Sequence, residues 1–334
     1  MPADERDRDL EAGALTAPRR YRSLVAHWIG RWPRAPRPVT LEARPAVAPG
    51  QLGVTFGGHA TTLLRYAGAR MVCDPMLGRW VGAVPREVAP GLTVDDLAEV
   101  DLVLVTQPGR DHLHLPTLAR LPRTATVVVP RGAAARVSPL GFARVVELGA
   151  GVDLDVAGVH LEAVAMPRGD GGVAYVVRGD GPSVFVCGDG GYHGGLVEVG
   201  RRHAPDVALL PIGGYWPRSF QDRHMSPRDA LAAFEDLRAR LLVPVRHGAF
   251  ALSYERLEEP ARQLAELVAA RGLEAHLCAL RPGQSELLVP PSGARGLAAA
   301  DVDATAALAT TGVLARSLCD VAAVLARGGG LLHA

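Results

Sequence analysis

Between residues 51 and 289 the chain alternates short runs of β-branched and leucine residues with loops of glycine, proline and aspartate, the pattern of buried strands. Residues 54–56, 62–66 and 71–73 read as three strands, with a turn at Ala67-Gly68 and an end at Asp74-Pro75. Residues 101–106 form another, which Pro108-Gly109 breaks into a loop carrying Arg110, Asp111, His112 and His114. Further strands are expected at 126–129, 145–148, 159–165, 174–178 and 183–187. Helices are expected at 115–121 and from His224-Met225-Ser226-Pro227 through Leu237. Strands interleaved with helices in two halves predict α/β layers whose strand ends meet along one edge.

The flanks have other patterns. Residues 1–18 look disordered by composition. In 20–32, Tyr21, Leu24, Val25, Trp28, Ile29 and Trp32 recur at helical spacing among Arg20, Arg22 and Arg31. Such a face docks on its own domain or makes a peripheral contact with an anionic membrane surface. Five prolines in 33–49 make an extended arm. Beyond residue 291 the chain is alanine-rich, and Leu314, Leu318, Val321 and Leu325 share one helical face that packs on its own domain or on a second copy in a homo-oligomer. The expected organisation is an arm over 1–50, a main domain over 51–291 and a C-terminal helical extension over 292–334.

Composition narrows the function classes. A hydrophobic fraction of 48% with 21% charged residues fits a globular protein, and a net charge of +1 gives no reason to expect nucleic acid as a partner. Every basic side chain is arginine, asparagine is absent and isoleucine occurs only at 29 and 212, which points to a GC-rich, bacterial genome. Cys73, Cys187, Cys278 and Cys319 form no CxxC pair, so buried free thiols are expected rather than disulfides or a cysteine zinc site. The charged N-terminus has no signal-peptide pattern and no apolar run spans a bilayer, so the expected location is cytoplasmic.

Several ordered motifs resemble the metallo-β-lactamase superfamily, in the branch of N-acylphosphatidylethanolamine-hydrolysing phospholipase D and L-ascorbate-6-phosphate lactonase. Gly58-His59-Ala60-Thr61, followed by a strand and Asp74-Pro75, resembles that branch's entry. Thr106 to His112 resembles Ser/Thr-His-x-His-x-Asp-His, with Thr106, Asp111 and His112 in place and Gln107 and Gly109 where the two leading histidines stand. Gly188-Asp189 resembles the strand end whose Asp bridges two zinc ions. Residues 206–215 match Asp-Leu-Ala-x-x-Pro-Ile-Gly-Ala-Tyr, and His224-Met225-Ser226-Pro227 matches His-x-Asp/Asn-Pro. Arg246-His247-Gly248 resembles the stretch that supplies the last zinc ligand, with Arg246 on the ligand position, and Arg168 falls on or near a further histidine ligand. The resemblance implies a four-layer αβ/βα sandwich.

It also implies a dinuclear zinc hydrolase whose ligands are largely replaced. Gly offers no side chain, Arg is permanently cationic and Gln is a weak zinc ligand, so Gln107, Arg168 and Arg246 read as metal-replacing residues. Without zinc, Asp111 and Asp189 would confront each other, and Arg246 could bridge them. The expected function is a pseudoenzyme that binds a phosphorylated or lipidic small molecule through His224, Tyr215 and Arg218, with no metal. The alternatives are a hydrolase of phosphodiester or lactone bonds with Asp111 and His224 catalytic and one zinc or manganese ion on Asp111, His112, Asp189 and His247, or an oligomeric scaffold. His59 reads equally as a loop histidine bonded to backbone and as a site residue.

Overall fold

The computed structural model of the chain describes residues 35–166 and 171–288. The helical faces expected at 20–32 and around Leu314–Leu325, and Arg168, lie outside the described residues. The strands in chain order are β1 (Leu52–Gly58), β2 (Thr61–Arg65), β3 (Arg70–Cys73), β4 (Trp80–Val81), β5 (Val84–Pro85), β6 (Leu102–Leu104), β7 (Thr126–Pro130) and β8 (Arg144–Leu148). They continue with β9 (Asp153–Val156), β10 (Val159–Ala165), β11 (Val173–Arg178), β12 (Val184–Val186), β13 (Val207–Pro211), β14 (Leu241–Val245) and β15 (Ser285–Leu288). The helices are α1 (Leu115–Leu118), α2 (Ala134–Val137), α3 (Gly195–His203), α4 (Pro227–Asp236) and α5 (Glu259–Ala269).

Two sheets carry the fold. One has seven strands in the order β15-β1-β2-β3-β6-β7-β8 and the other has six in the order β14-β13-β12-β11-β10-β9, with β4-β5 a separate ribbon. A core of Phe56, Leu104, Leu161, Tyr175 and Leu209 lies between the sheets. Val103, Val127, Leu118 and Val137 pack the outer face of the first sheet against α1 and α2, and Leu210, Leu231, Phe234 and Leu264 pack that of the second against α3, α4 and α5. The layers are therefore helix, sheet, sheet, helix, the αβ/βα sandwich that the resemblance implies.

The parallel strands show why the sequence runs are continuously apolar. β6, β7 and β13 have buried residues toward both faces, because sheet covers one side and helix the other. β10 alternates buried and half-buried positions, as a strand covered mainly on one side should. The expected helix at 115–121 is shorter, with Ala119 as its C-cap. α4 begins where the sequence places it: Ser226 and Asp229 form a reciprocal capping box ahead of Pro227 at the first turn. Cys73, Cys187 and Cys278 are buried and form no disulfide among the described residues. Among the described residues no helix is long and apolar enough to cross a membrane.

Topology gathers the chemistry at one edge. β3 and β6 run parallel, as do β12, β13 and β14, so the residues after Cys73, Leu104, Val186, Pro211 and Val245 emerge together. β1 delivers His59 to the same edge, where it bridges to His247. Gly188 lets the sheets meet there, since a Cβ on it would lie 2.1 Å from both Asp74 Oδ2 and Thr106 Oγ1.

The arm is part of this edge. Arg37 bridges to Val88, and Glu42 N donates to Gly283 O. Behind it, the guanidinium of the fully buried Arg86 donates to the carbonyls of Gly78 (2.9 Å) and Met76 (2.5 Å) and lies 4.4 Å over the Phe250 ring. Burial lowers its pKa to about 10. Replacing Arg86 with Met strips donors from buried carbonyls, so urea unfolding should show a loss of roughly 2–4 kcal/mol; a change within about 0.5 kcal/mol, the usual range for surface substitutions, would mean that Arg86 does not hold the loop.

Candidate active site

Asp74 is the foundation of the site. It succeeds β3 in a left-handed conformation (φ 43°), and its side chain is wholly buried. Oδ1 accepts from Thr106 N (2.8 Å), Oδ2 accepts from Thr106 Oγ1 (2.7 Å), and Oδ2 lies 2.7 Å from His112 Nδ1. His112 is thereby fixed with Nε2 facing Asp111 Oδ2 at 3.3 Å, a contact without hydrogen-bond alignment, and that buried Nε2 has no hydrogen-bond partner. His59 Nε2 reaches the same oxygen at 3.2 Å. The side chains of His59, Asp111 and His112 offer ligand atoms that all lie within 4.8 Å of one another.

Across the pocket, Asp189 is fully engaged. Oδ1 accepts from Gly190 N (2.9 Å) and lies 2.8 Å from His224 Nδ1, and Oδ2 lies 2.8 Å from Arg246 Nε in an ion pair. Arg246 Nη2 lies 3.8 Å from Asp111 Oδ2, and Nη1 donates to Gly213 O at 2.7 Å. The guanidinium thus stands between the two carboxylates, at 6% side-chain exposure.

Backbone conformation sets the course of the chain after β14. Arg246 and His59 are both left-handed (φ 58° and 56°), and they pair through Arg246 N to His59 O (2.7 Å) and His59 N to His247 O (3.2 Å). With Arg246 turned inward, His247 goes the other way and stacks on Phe56, ring centroids 5.2 Å apart and 24° between planes. His247 therefore does not join the trio, which corrects the expected ligand set of Asp111, His112, Asp189 and His247. The third member is His59, whose ring also meets Phe250 edge-on. Of its two readings from the sequence, the structure favours the pocket, although its backbone is bonded as well.

The expected ligand-binding trio is also divided. His224 sits in the site on Asp189, 17% exposed. Tyr215 is buried and its hydroxyl donates to Gln263 on α5 (3.0 Å), because the left-handed Gly214 turns the chain away from the carboxylates. Arg218 is exposed on a single helical turn. Gln107 is buried with neither amide atom hydrogen-bonded, and Gly109 contributes only space, since a Cβ on it would lie 2.8 Å from Asp111 Oδ1.

A pair of metal ions does not fit these residues. Both oxygens of Asp189 are committed, and the cation nearest the bridging position is a guanidinium. A single ion has three donors in His59, Asp111 and His112, with Asp74 orienting His112 as a carboxylate orients a ligating imidazole. Electrostatics already balance part of the cluster. Burial would lower the pKa of His112, but Asp74 and Asp111 overcome it and hold the imidazolium up to about 10. For Asp111, burial is outweighed by His112 and His59, and its carboxyl titrates well below the usual range. His59 is lowered to about 4 by burial, against the pull of Asp111.

The signs give a pH optimum. A base with a raised folded pKa contributes fully below its unfolded value of 6.5 and loses that contribution as pH climbs toward about 10. His59, with a lowered pKa, costs stability as pH falls from 6.5 to about 4, and Asp111 adds to the loss at still lower pH. Urea-unfolding free energy should peak near neutrality and fall by a few kcal/mol toward pH 10. The alkaline fall should flatten in His112→Gln; an unchanged slope would remove His112 as its source.

The beta-lactamase superfamily domain profile matches residues 69–247. A protein of Mycobacterium tuberculosis is 31% identical over 303 residues, covering 81% of this chain and 77% of its own length. A protein named UPF0173 metal-dependent hydrolase, from Methanopyrus kandleri, is 29% identical over 246 residues, covering 70% of this chain and 98% of its own. Among solved structures, an isothiocyanate hydrolase from Delia radicum gut bacteria superposes with a TM-score of 0.62 at 20% identity, over 71% of this chain and 99% of that one. Igni18, a metallo hydrolase from Ignicoccus hospitalis, gives 0.57 at 21%, over 71% and 98%. With the layered fold, the strand-end site and a profile that spans more than half of the sequence, the chain belongs to the metallo-β-lactamase superfamily.

Proposed function

We propose that this chain is a hydrolase-fold protein whose centre is neutralised by arginine, and that it binds a small molecule without the two-metal hydrolysis of its fold. The observation that carries this reading is Arg246, with Nε 2.8 Å from Asp189 Oδ2 and Nη2 3.8 Å from Asp111 Oδ2. Two carboxylates at close range resist joint ionisation, and a guanidinium between them removes that cost without an ion. It is held by ion pairs to Asp189 and Asp111 and by a hydrogen bond to Gly213 O, so recognition of a phosphorylated or lipid-like ligand falls to His224 and Arg218, which lie within one short segment. His224 is oriented by Asp189 through Nδ1 and can accept or give a proton at Nε2.

A second reading has its own observation. The convergence of His59, Asp111 and His112, with a buried Nε2 lacking a hydrogen-bond partner, supports a hydrolase using one ion, as does the name of the Methanopyrus kandleri relative. An ion held there would polarise a phosphoester or lactone and lower the pKa of a bound water. In that case Asp111 and His112 would hold it with His59, and His224 would handle the proton.

Elemental analysis separates the two. The purified chain should carry less than about 0.1 zinc or manganese per molecule, with bis(p-nitrophenyl) phosphate turnover at background; about one ion per chain with chelator-sensitive turnover establishes the single-ion hydrolase instead. Arg246→Met should cost about 3–5 kcal/mol in urea unfolding, because it removes the ion-pair partner from Oδ2 of the buried Asp189.

A further inference from the structure

We propose that Phe220 is a specificity-determining residue of the pocket, whose ring stands beside His224 and selects ligands that join an aromatic ring directly to an anionic group, as in an aryl phosphate monoester. This rests on the ligand-binding reading above and narrows its ligand class. The Phe220 and His224 rings meet edge to face, centroids 6.4 Å apart and 66° between planes. His224 N donates to Phe220 O (3.0 Å), and side chains four residues apart across such a bond share one face of the turn. With Nδ1 on Asp189, the imidazole presents Nε2 away from that carboxylate.

Main-chain contacts fix where this turn sits. Phe220 N donates to Pro217 O (2.8 Å), Arg223 N donates to Phe220 O (2.9 Å), and Met225 N donates to Gly190 O (3.0 Å). Gly191 is what lets the turn approach the strand end. A Cβ there would lie 2.3 Å from Asp222 O and 3.0 Å from Gln221 O, and both are backbone atoms that cannot swing aside. The loop after Asp189 thus holds the aromatic ring against the imidazole that Asp189 orients.

Core packing does not account for that ring. Of the six phenylalanines, Phe56, Phe142, Phe185, Phe234 and Phe250 are each buried in one of the four apolar clusters of the described residues. Phe220 belongs to none of them and is half-buried. Its place at the pocket gives it another partner, a ring carried by the ligand, because aromatic pairs gain more than their apolar area alone. In an aryl phosphate one oxygen separates ring from phosphorus, so the ring can lie on Phe220 while the phosphoryl oxygens meet His224. An apolar chain of equal bulk gains the area and not the ring pairing.

The test is isothermal titration of the full chain with methyl, cyclohexyl and phenyl phosphate. Phenyl phosphate should bind about tenfold tighter than methyl phosphate and about threefold tighter than cyclohexyl phosphate, the scale of an aromatic pair added to its apolar area. Phe220→Ala should abolish the preference for phenyl over both other esters. Phe220→Leu, which keeps apolar bulk at the position and covers the case of a poorly folded Phe220→Ala, should bind the phenyl and cyclohexyl esters equally. If the wild type binds all three esters equally, or cyclohexyl as tightly as phenyl, the inference falls while the ligand-binding reading stands. A preference for phenyl over cyclohexyl that survives in either variant has the same consequence. Binding of none of the three overturns the phosphorylated-ligand reading and the inference together.

Discussion

The structure of the strand-end pocket depends on one charge contact, the guanidinium of Arg246 between the buried Asp189 and the half-buried Asp111. Asp189 has no exposed side-chain surface, so its ionised form requires a cation within reach, whereas Asp111 already has His112 and His59 beside it. Arg246 supplies it from within the chain, in place of an ion that would have to bind. Around that contact the remaining charges fall into place: Asp74 holds His112, His112 and His59 flank Asp111, and His224 takes the second oxygen of Asp189.

The pocket also shows how a backbone conformation can select a chemistry. Asp74, His59 and Arg246 all adopt left-handed backbone angles without being glycine. Such residues are uncommon and are concentrated where surrounding structure over-determines them. Here the surrounding structure is the paired edge of β1 and the end of β14, together with the close approach of Gly188 to Asp74 and Thr106. The left-handed turn at 246 sends one side chain to the carboxylates and its neighbour onto Phe56.

Much of this is legible in the sequence because it is local. The strand before Thr106, the spacing to Asp111 and His112, the Gly188-Asp189 strand end and the position of Arg246 are all short motifs whose register survives substitution. The α4 capping box is likewise written in four consecutive residues. The parts that are not legible depend on contacts between distant segments. The sequence places His247 near the carboxylates, but its ring goes to Phe56, which lies in another strand, and no local pattern records that stacking. Tyr215 is expected at the pocket, whereas its hydroxyl partner Gln263 comes from α5. His59 is ambiguous for the same reason, since its partner Asp111 is reached only when β1 and the loop after β6 are brought together. A signal exists in the pairing of His59 with the Asp74-Pro75 strand end, which places it at the correct edge without its neighbours.

Gly188 has an implication for how such a protein changes over time. Because the two halves of the sandwich touch through a position that admits no side chain, their separation there is set by the Gly188 backbone against the buried side chains of Asp74 and Thr106 and not by the groups across the pocket. The scaffold can thus lose or exchange the groups in its cleft one by one while the walls stay at the same spacing. Chemistry becomes the disposable layer of the molecule, and the frame beneath it the durable one.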